Sequence, residues 1–136
     1  MKGVVERPTL VCQVSRYRIW VEPPARGSKS KLILEVFSGQ ETEKPRRLPF
    51  DANYFDIVIL DQSYPLQTPV LAESLRVLKE GGQFFWRKLG KNKIPRGAQI
   101  LLHSGMMGVG QVKENLLGQE REEVLRASKP MQIGRH

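Results

Sequence analysis

The sequence predicts an α/β domain built on a mainly parallel sheet, and three features of its middle third carry that expectation. Ile57-Val58-Ile59-Leu60 is a short continuous apolar run rich in β-branched residues, as expected of a strand buried on both faces. Phe84-Phe85-Trp86 is a second such run. Between them Pro69–Lys79 carries helix start and stop signals. A strand–helix–strand order with this spacing favours a parallel, right-handed crossover, with Ile57–Leu60 at the centre of the sheet and Phe84–Trp86 beside it.

Each element follows from local chemistry. Leu10–Val14 places apolar residues at even positions, whereas Tyr17, Ile19 and Val21 are odd. Because side chains alternate faces along a strand, this phase slip predicts a bulge or bend in one long strand or hairpin arm. Pro23-Pro24 ends it, Ala25–Lys31 is a loop of Gly, Ser and basic residues, and Leu32–Phe37 is the next strand. After the central strand, Thr68 suits an N-cap and Pro69 the first helical position, where a missing N–H costs nothing. Leu71, Leu75 and Leu78 recur on one helical face, Lys79 suits the last turn, and Gly81-Gly82 is the expected stop. Beyond Trp86, Ile100–His103 reads as a strand and Gly105–Gly110 as a flexible turn. Glu122–Lys129 reads as a closing strand, although Glu120-Arg121-Glu122-Glu123 also suits a helix.

Leu48-Pro49-Phe50 followed by Tyr54-Phe55-Asp56, and then Arg76-Val77-Leu78-Lys79-Glu80-Gly81-Gly82, resemble the "LPF…sFD" connection and the "rvLkpGG" signature of class I S-adenosylmethionine-dependent methyltransferases of the type 11-like group. The resemblance covers residues 48–130, the second half of that catalytic domain, and is specific over Leu48–Gly82. It implies a truncated Rossmann-like methyltransferase fold. The expected organisation is a divergent N-terminal β segment (1–47) packed on the same domain as a methyltransferase-like α/β core (48–130), with a short tail (131–136). The family's glycine-rich cofactor loop has no equivalent in residues 1–47. A complete domain needs about two more βα units than those residues can hold, at roughly 30 residues per βαβ unit.

Two alignments of the first part remain open. In one, Leu32–Phe37 stands for the family's third strand, and Gln40 replaces the acid that holds the adenine amino group. In the other, Leu32–Gly39 is a decayed first strand and loop, with Phe37 filling the space where small residues admit the cofactor. The resemblance places candidate cofactor contacts at Ser38, Gly39 and Gln40 after one strand and at Asp61, Gln62 and Tyr64 after another, at the carboxyl ends where open sheets bind ligands. Asp61-Gln62-Ser63-Tyr64 also faintly resembles the "DPPY" loop of amino-methyltransferases, although a strand-ending Asp before a turn is common on its own.

The function so implied is a methyltransferase-like protein that is non-catalytic and acts as a binding or structural subunit. The alternative is an active S-adenosylmethionine-dependent methyltransferase, with an atypical cofactor site or one completed by a partner chain. No cofactor is expected in the first case, and S-adenosylmethionine in the second. An open sheet lacking its first strands has an unpaired edge, which must be covered by the divergent N-terminal strands or by a partner, another protein or a second copy.

Other chemistry finds little footing. Cys12 is the single cysteine, which excludes an internal disulfide and a cysteine metal cluster. Gly105–Gly110 has G-x-x-G-x-G spacing, unlike either nucleotide-binding glycine loop, and no lysine follows it as a P-loop requires. His103 and His136 are too distant in sequence to suggest a metal pair, and His103 reads as a partly buried strand residue. Ser63 and Ser104 lack nucleophile-elbow context. With 136 residues, 40% hydrophobic and 26% charged, the chain is ordinary material for one core. No apolar run approaches the roughly 20 residues that span a bilayer, and no secretory signal opens the chain, so a soluble cytoplasmic protein is the expectation.

Charge is the second signal. Twenty-two Lys and Arg against fourteen Asp and Glu give +8. Clusters at Lys44, Arg46 and Arg47 and at Arg87, Lys88, Lys91, Lys93 and Arg96 suit an anionic partner, a nucleic acid or an acidic protein face, when they are more than solubilising surface.

Overall fold

The computed structural model describes residues 7–24, 27–37, 47–61 and 68–131. In chain order the elements are β1 (Thr9–Gln13), β2 (Tyr17–Glu22), β3 (Lys31–Phe37), β4 (Phe55–Asp61), α1 (Thr68–Arg76), β5 (Leu78–Arg87), α2 (Ile94–His103), β6 (Met107–Glu114) and β7 (Glu122–Ser128). All seven strands form one sheet in the order β1-β2-β3-β4-β5-β7-β6.

The sheet is mixed, which corrects the expectation of a mainly parallel one. Only β3–β4 and β4–β5 pair in parallel, whereas β1–β2, β2–β3, β5–β7 and β6–β7 are antiparallel. Connection length explains three of the four antiparallel pairs, all but β5–β7. A parallel pair needs a crossover of about a dozen residues or more, available at 38–54 and around α1, whereas the short links β1–β2, β2–β3 and β6–β7 permit only hairpins. The central pair is as expected: Ile57–Leu60 lies in β4, fourth of seven, and Phe84–Trp86 lies parallel beside it.

Strict alternation divides the core between two faces. Leu34, Val36, Val58, Leu60, Phe84, Trp86 and Leu125 point to the face that carries Leu71 of α1 and Leu101 of α2. Ile33, Ile59, Phe85 and Val124 point the other way, where Leu116 and Leu117 pack on them. Both described helices thus cover one face.

Three assignments change. The helix ends at Arg76, not Lys79, because Leu78 already pairs with Phe55 of β4. Gly81-Gly82 therefore serves an irregularity inside β5. Gly81 has φ of +80°, and a Cβ at Gly82 would sit 2.8 Å from the Asp56 carbonyl oxygen. Ile100–His103 is helical, the end of α2, in which Ile94, Gly97, Ala98 and Leu101 share one face at helical spacing and Pro95 occupies the first turn. His103 is accordingly an exposed helix-end residue rather than a partly buried strand residue. Most of the expected turn Gly105–Gly110 belongs to strand β6. Glu122–Ser128 is the closing strand. The phase slip near the amino terminus falls where β1 turns into its antiparallel partner β2, not within one long strand, and a separate bulge lies in β1 between Leu10 and Cys12.

Two polar ties fix α1, one to the 47–50 segment and one to the residue after β7. Glu73 accepts from the Leu48 N–H at 2.7 Å and from Arg76 Nε at 2.7 Å, while Arg76 Nη2 donates to the Leu48 carbonyl. The hydrogen bond from Arg76 holds the Glu73 carboxyl below its ordinary range against the opposing effect of burial. Lys129, just past β7, donates from Nζ to the carbonyls of Leu75 and Leu78 and to Asn53 Oδ1, capping the carboxyl end of α1. Burial lowers the Lys129 pKa from its ordinary value. Among the described residues no helix is long and apolar enough to cross a membrane.

Candidate functional site at the carboxyl ends of the parallel strands

The alternation that sends Ile33, Ile59 and Phe85 to the less covered face sends Glu35, Asp61 and Arg87 there too. Register aligns Phe37, Asp61 and Arg87 across the three parallel strands, so these charges converge at the carboxyl end of the sheet. Glu35 and Arg87 are among the few buried charged residues, 2% and 6% exposed. Isolated buried charges are costly, so both require partners.

Arg87 supplies them as a hub. Its Nη1 lies 3.1 Å from Glu35 Oε2 and 3.7 Å from Asp61 Oδ2. Its Nη2 donates to Glu122 Oε2 at 2.6 Å and to Gln119 Oε1 at 2.8 Å. Burial works against the guanidinium charge, but the hydrogen bond to Glu122 and the charges of Glu122, Asp61 and Glu35 outweigh it and raise the pKa above its usual value. Glu35 also accepts from Trp20 Nε1 at 3.0 Å and lies 3.7 Å from Arg18, whose guanidinium stacks on Phe37. Lys88, with φ of +63°, lies 3.1 Å from Asp61 Oδ1. One arginine thereby ties β3, β4, β5 and β7 together. Three carboxylates (Glu35, Asp61, Glu122) meet three cations (Arg18, Arg87, Lys88), leaving little uncompensated charge for a ligand.

Of the candidate cofactor contacts, Asp61 closes β4 as expected, but its side chain is 8% exposed and engaged by Arg87 and Lys88. Ser38, Gly39, Gln40, Gln62 and Tyr64 lie outside the described residues. Of the candidate partner contacts, Arg87 is buried in the network and forms no part of a docking surface, which corrects its assignment. A strand-ending residue one step beyond Trp86 faces opposite to it, toward Glu35. Lys88, Lys91, Lys93 and Arg96 are exposed around the turn from β5 into α2. Arg47 is exposed and lies 4.0 Å from Glu73. Lys44 and Arg46 lie outside the described residues.

Sequence reasoning missed Glu35, Trp20 and Glu122. The signal was present: Glu35 interrupts the apolar strand Leu32–Phe37 at a position whose strand neighbours are core. Among the described residues no three His, Cys, Asp or Glu side chains are placed to hold a metal ion.

No protein-family profile matches the chain, and no curated protein sequence matches it. Two solved structures are similar over 63% of it. One, from Methanococcus maripaludis, is provisionally described as an S-adenosyl-L-methionine-dependent methyltransferase, with 17% identity, a TM-score of 0.47 and 52% of its length covered. The other is an S-adenosylmethionine-dependent O-methyltransferase from Thermotoga maritima, with 15% identity, a TM-score of 0.44 and 37% of its length covered. The chain thus spans about half or less of the proteins it resembles.

Proposed function

We propose that this chain works by binding, as a methyltransferase-like module without autonomous catalysis. The observation that carries this reading is the pairing of Asp61 and Glu35 with Arg87. A carboxylate that orients a cofactor hydroxyl or a substrate amine must have lone pairs free to accept. Here the two acids toward the carboxyl end of β3 and β4 are engaged by the protein itself, Glu35 by Arg87 and Trp20 and Asp61 by Lys88 and Arg87. The identity of β3 adds to it. In doubly wound sheets the first strand lies beside the fourth, so the pairing of β3 with β4 favours aligning Leu32–Gly39 with the first strand of the methyltransferase family. In that alignment Phe37 stands where the family needs a small residue.

The docking surface in this reading is the basic corner formed by Lys88, Lys91, Lys93 and Arg96, with an anionic partner, a nucleic acid or an acidic protein face. The outer edge of β1 is a second contact, for another protein or a second copy: Thr9–Gln13 carries no charge, and Leu10 and Val11 are exposed. Retention on an immobilised oligonucleotide and on polyglutamate tests the basic corner. Retention should fall steeply as ionic strength rises and should be lost on charge reversal at Lys91, Lys93 and Arg96. Retention indifferent to both changes would reduce the charge to surface solvation.

The active-enzyme reading keeps one support: β3 ends at Phe37 at the carboxyl end of the parallel strands, two positions before Gly39 in the sequence. In that case S-adenosylmethionine would bind beside Asp61, with the site completed by a partner chain.

A further inference from the structure

No acidic residue stands between Glu80 and Glu114, the longest such interval in the chain. Within it, Arg87 and Lys88 are engaged by Glu35, Asp61 and Glu122. The other basic residues of the interval are exposed: Lys91 and Lys93 on the turn into α2, Arg96 in the first turn of α2, and Lys113 of β6.

α2 turns a polar face outward. Ile94, Gly97, Ala98 and Leu101 face the sheet. Arg96, Gln99 and His103, spaced i, i+3 and i+7, share the opposite face, and all three are exposed. Asn92 is exposed on the turn before them. The helix also stands at the end of its layer. It packs on β6 and β7, and β6 is the last strand of the sheet, whereas α1 packs on β4 and β5. At 10 residues α2 is roughly 15 Å long.

These side-chain types distinguish one anionic partner from the others. An acidic protein face is satisfied by Lys and Arg, and gives no task to the amides of Asn92 and Gln99. Base edges in duplex DNA do: Arg pairs with guanine O6 and N7, and Asn or Gln with adenine N6 and N7. Proteins that hold single strands stack the bases on aromatic rings, but no Phe, Tyr or Trp follows Trp86 in this chain, and Trp86 itself is buried. The major groove of an RNA duplex is too deep and narrow for side chains to read, whereas that of B-form DNA admits an α-helix.

We propose that the outward face of α2 enters the major groove of double-stranded DNA, with Arg96, Gln99 and His103 toward the base edges and Lys91 and Lys93 toward the phosphates. The proposal rests on the docking role of the basic corner and narrows its partner to one class.

The probe is a fluorescent DNA duplex of mixed sequence and about two helical turns, roughly 20 base pairs, titrated with the full chain and followed by anisotropy. Unlabelled DNA duplex should compete at least about tenfold better than the same sequence as RNA duplex or single-stranded DNA, and better than polyglutamate of equal charge. Two variants separate the groove contact from net charge. Gln99→Glu and Lys29→Ala each lower the net charge by one unit at an exposed position, but Lys29 lies in the link between β2 and β3. Gln99→Glu should weaken binding about tenfold or more, because it sets a carboxylate against the phosphates and bases, while Lys29→Ala should change it less than about twofold. Thermal midpoints matching wild type exclude unfolding as the cause. Equal competition by all four polyanions, or equal losses in the two variants, would overturn the proposal while leaving a salt-sensitive docking role intact. Absence of salt-sensitive binding to any of the probes would overturn both.

Discussion

Arg87 Nη1 lies 3.1 Å from Glu35 Oε2, although the two residues stand 52 positions apart in the chain. Both are buried, one from β5 and the other from β3, with β4 between them in the sheet. The pair therefore bridges across a strand on the sheet surface. Removing one partner strands a buried charge. Arg87→Met should cost about 3–5 kcal/mol in urea unfolding. Adding Glu35→Gln to it should recover part of that loss, because the orphaned carboxylate is then gone. Arg87→Lys should not rescue, since an ammonium cannot reproduce the fork that reaches Glu35 and Glu122 together. Equal stability of Arg87→Met and wild type would dissolve the network as a structural element.

Gly97→Ala should destabilise the protein even though alanine is the better helix former. The added Cβ would lie 2.5 Å from Leu89 Cδ2 and 3.1 Å from Leu125 Cδ2. Overpacking of this kind costs roughly 1–3 kcal/mol and outweighs the helix-propensity gain of about 1 kcal/mol. A rise in the thermal midpoint of Gly97→Ala would show that α2 has room to shift off the sheet.

Acid should loosen the tie between α1 and the 47–50 segment. The Glu73 carboxyl is held below its ordinary value, chiefly by its hydrogen bond to Arg76. A depressed carboxylate adds stability that is complete above its unfolded pKa and is lost as pH falls through the lower folded one. Stability should therefore decline with acidification below the ordinary glutamate range. Glu73→Gln should be less stable than wild type at neutral pH and show a shallower decline in acid. Parallel pH profiles for the two proteins would remove Glu73 from the account.

The central crossover was legible in the sequence because its signals are local. A β-branched run at Ile57–Leu60, a Pro69 helix start and an aromatic run at Phe84–Trp86 all survive in β4, α1 and β5. The helix stop was not legible. Gly81-Gly82 has the composition of a C-cap, and only the pairing of Leu78 with Phe55 shows that the strand has already begun. The tail misled for a similar reason. Ile100-Leu101-Leu102 is apolar enough for a strand, and its helical period is visible only with Ile94 and Gly97 included. The strands of the hairpins β1–β2, β2–β3 and β6–β7 are antiparallel because their short connections cannot cross over, and no single residue records that. The charge network escaped notice because its members are scattered from Trp20 to Glu122 and meet only through register.

The claim that the crevice acids are spent on Arg87, leaving a binding module rather than an autonomous enzyme, meets its most direct test in titration calorimetry of the purified chain with S-adenosylmethionine and S-adenosylhomocysteine. The account predicts no saturable heat in the micromolar range, since Asp61 and Glu35 are held by Lys88, Arg87 and Trp20, and a cofactor would have to displace those contacts to gain hydrogen bonds worth roughly 1 kcal/mol each. Micromolar affinity that weakens in folded Asp61→Ala protein, together with methyl transfer by the chain alone, would contradict it.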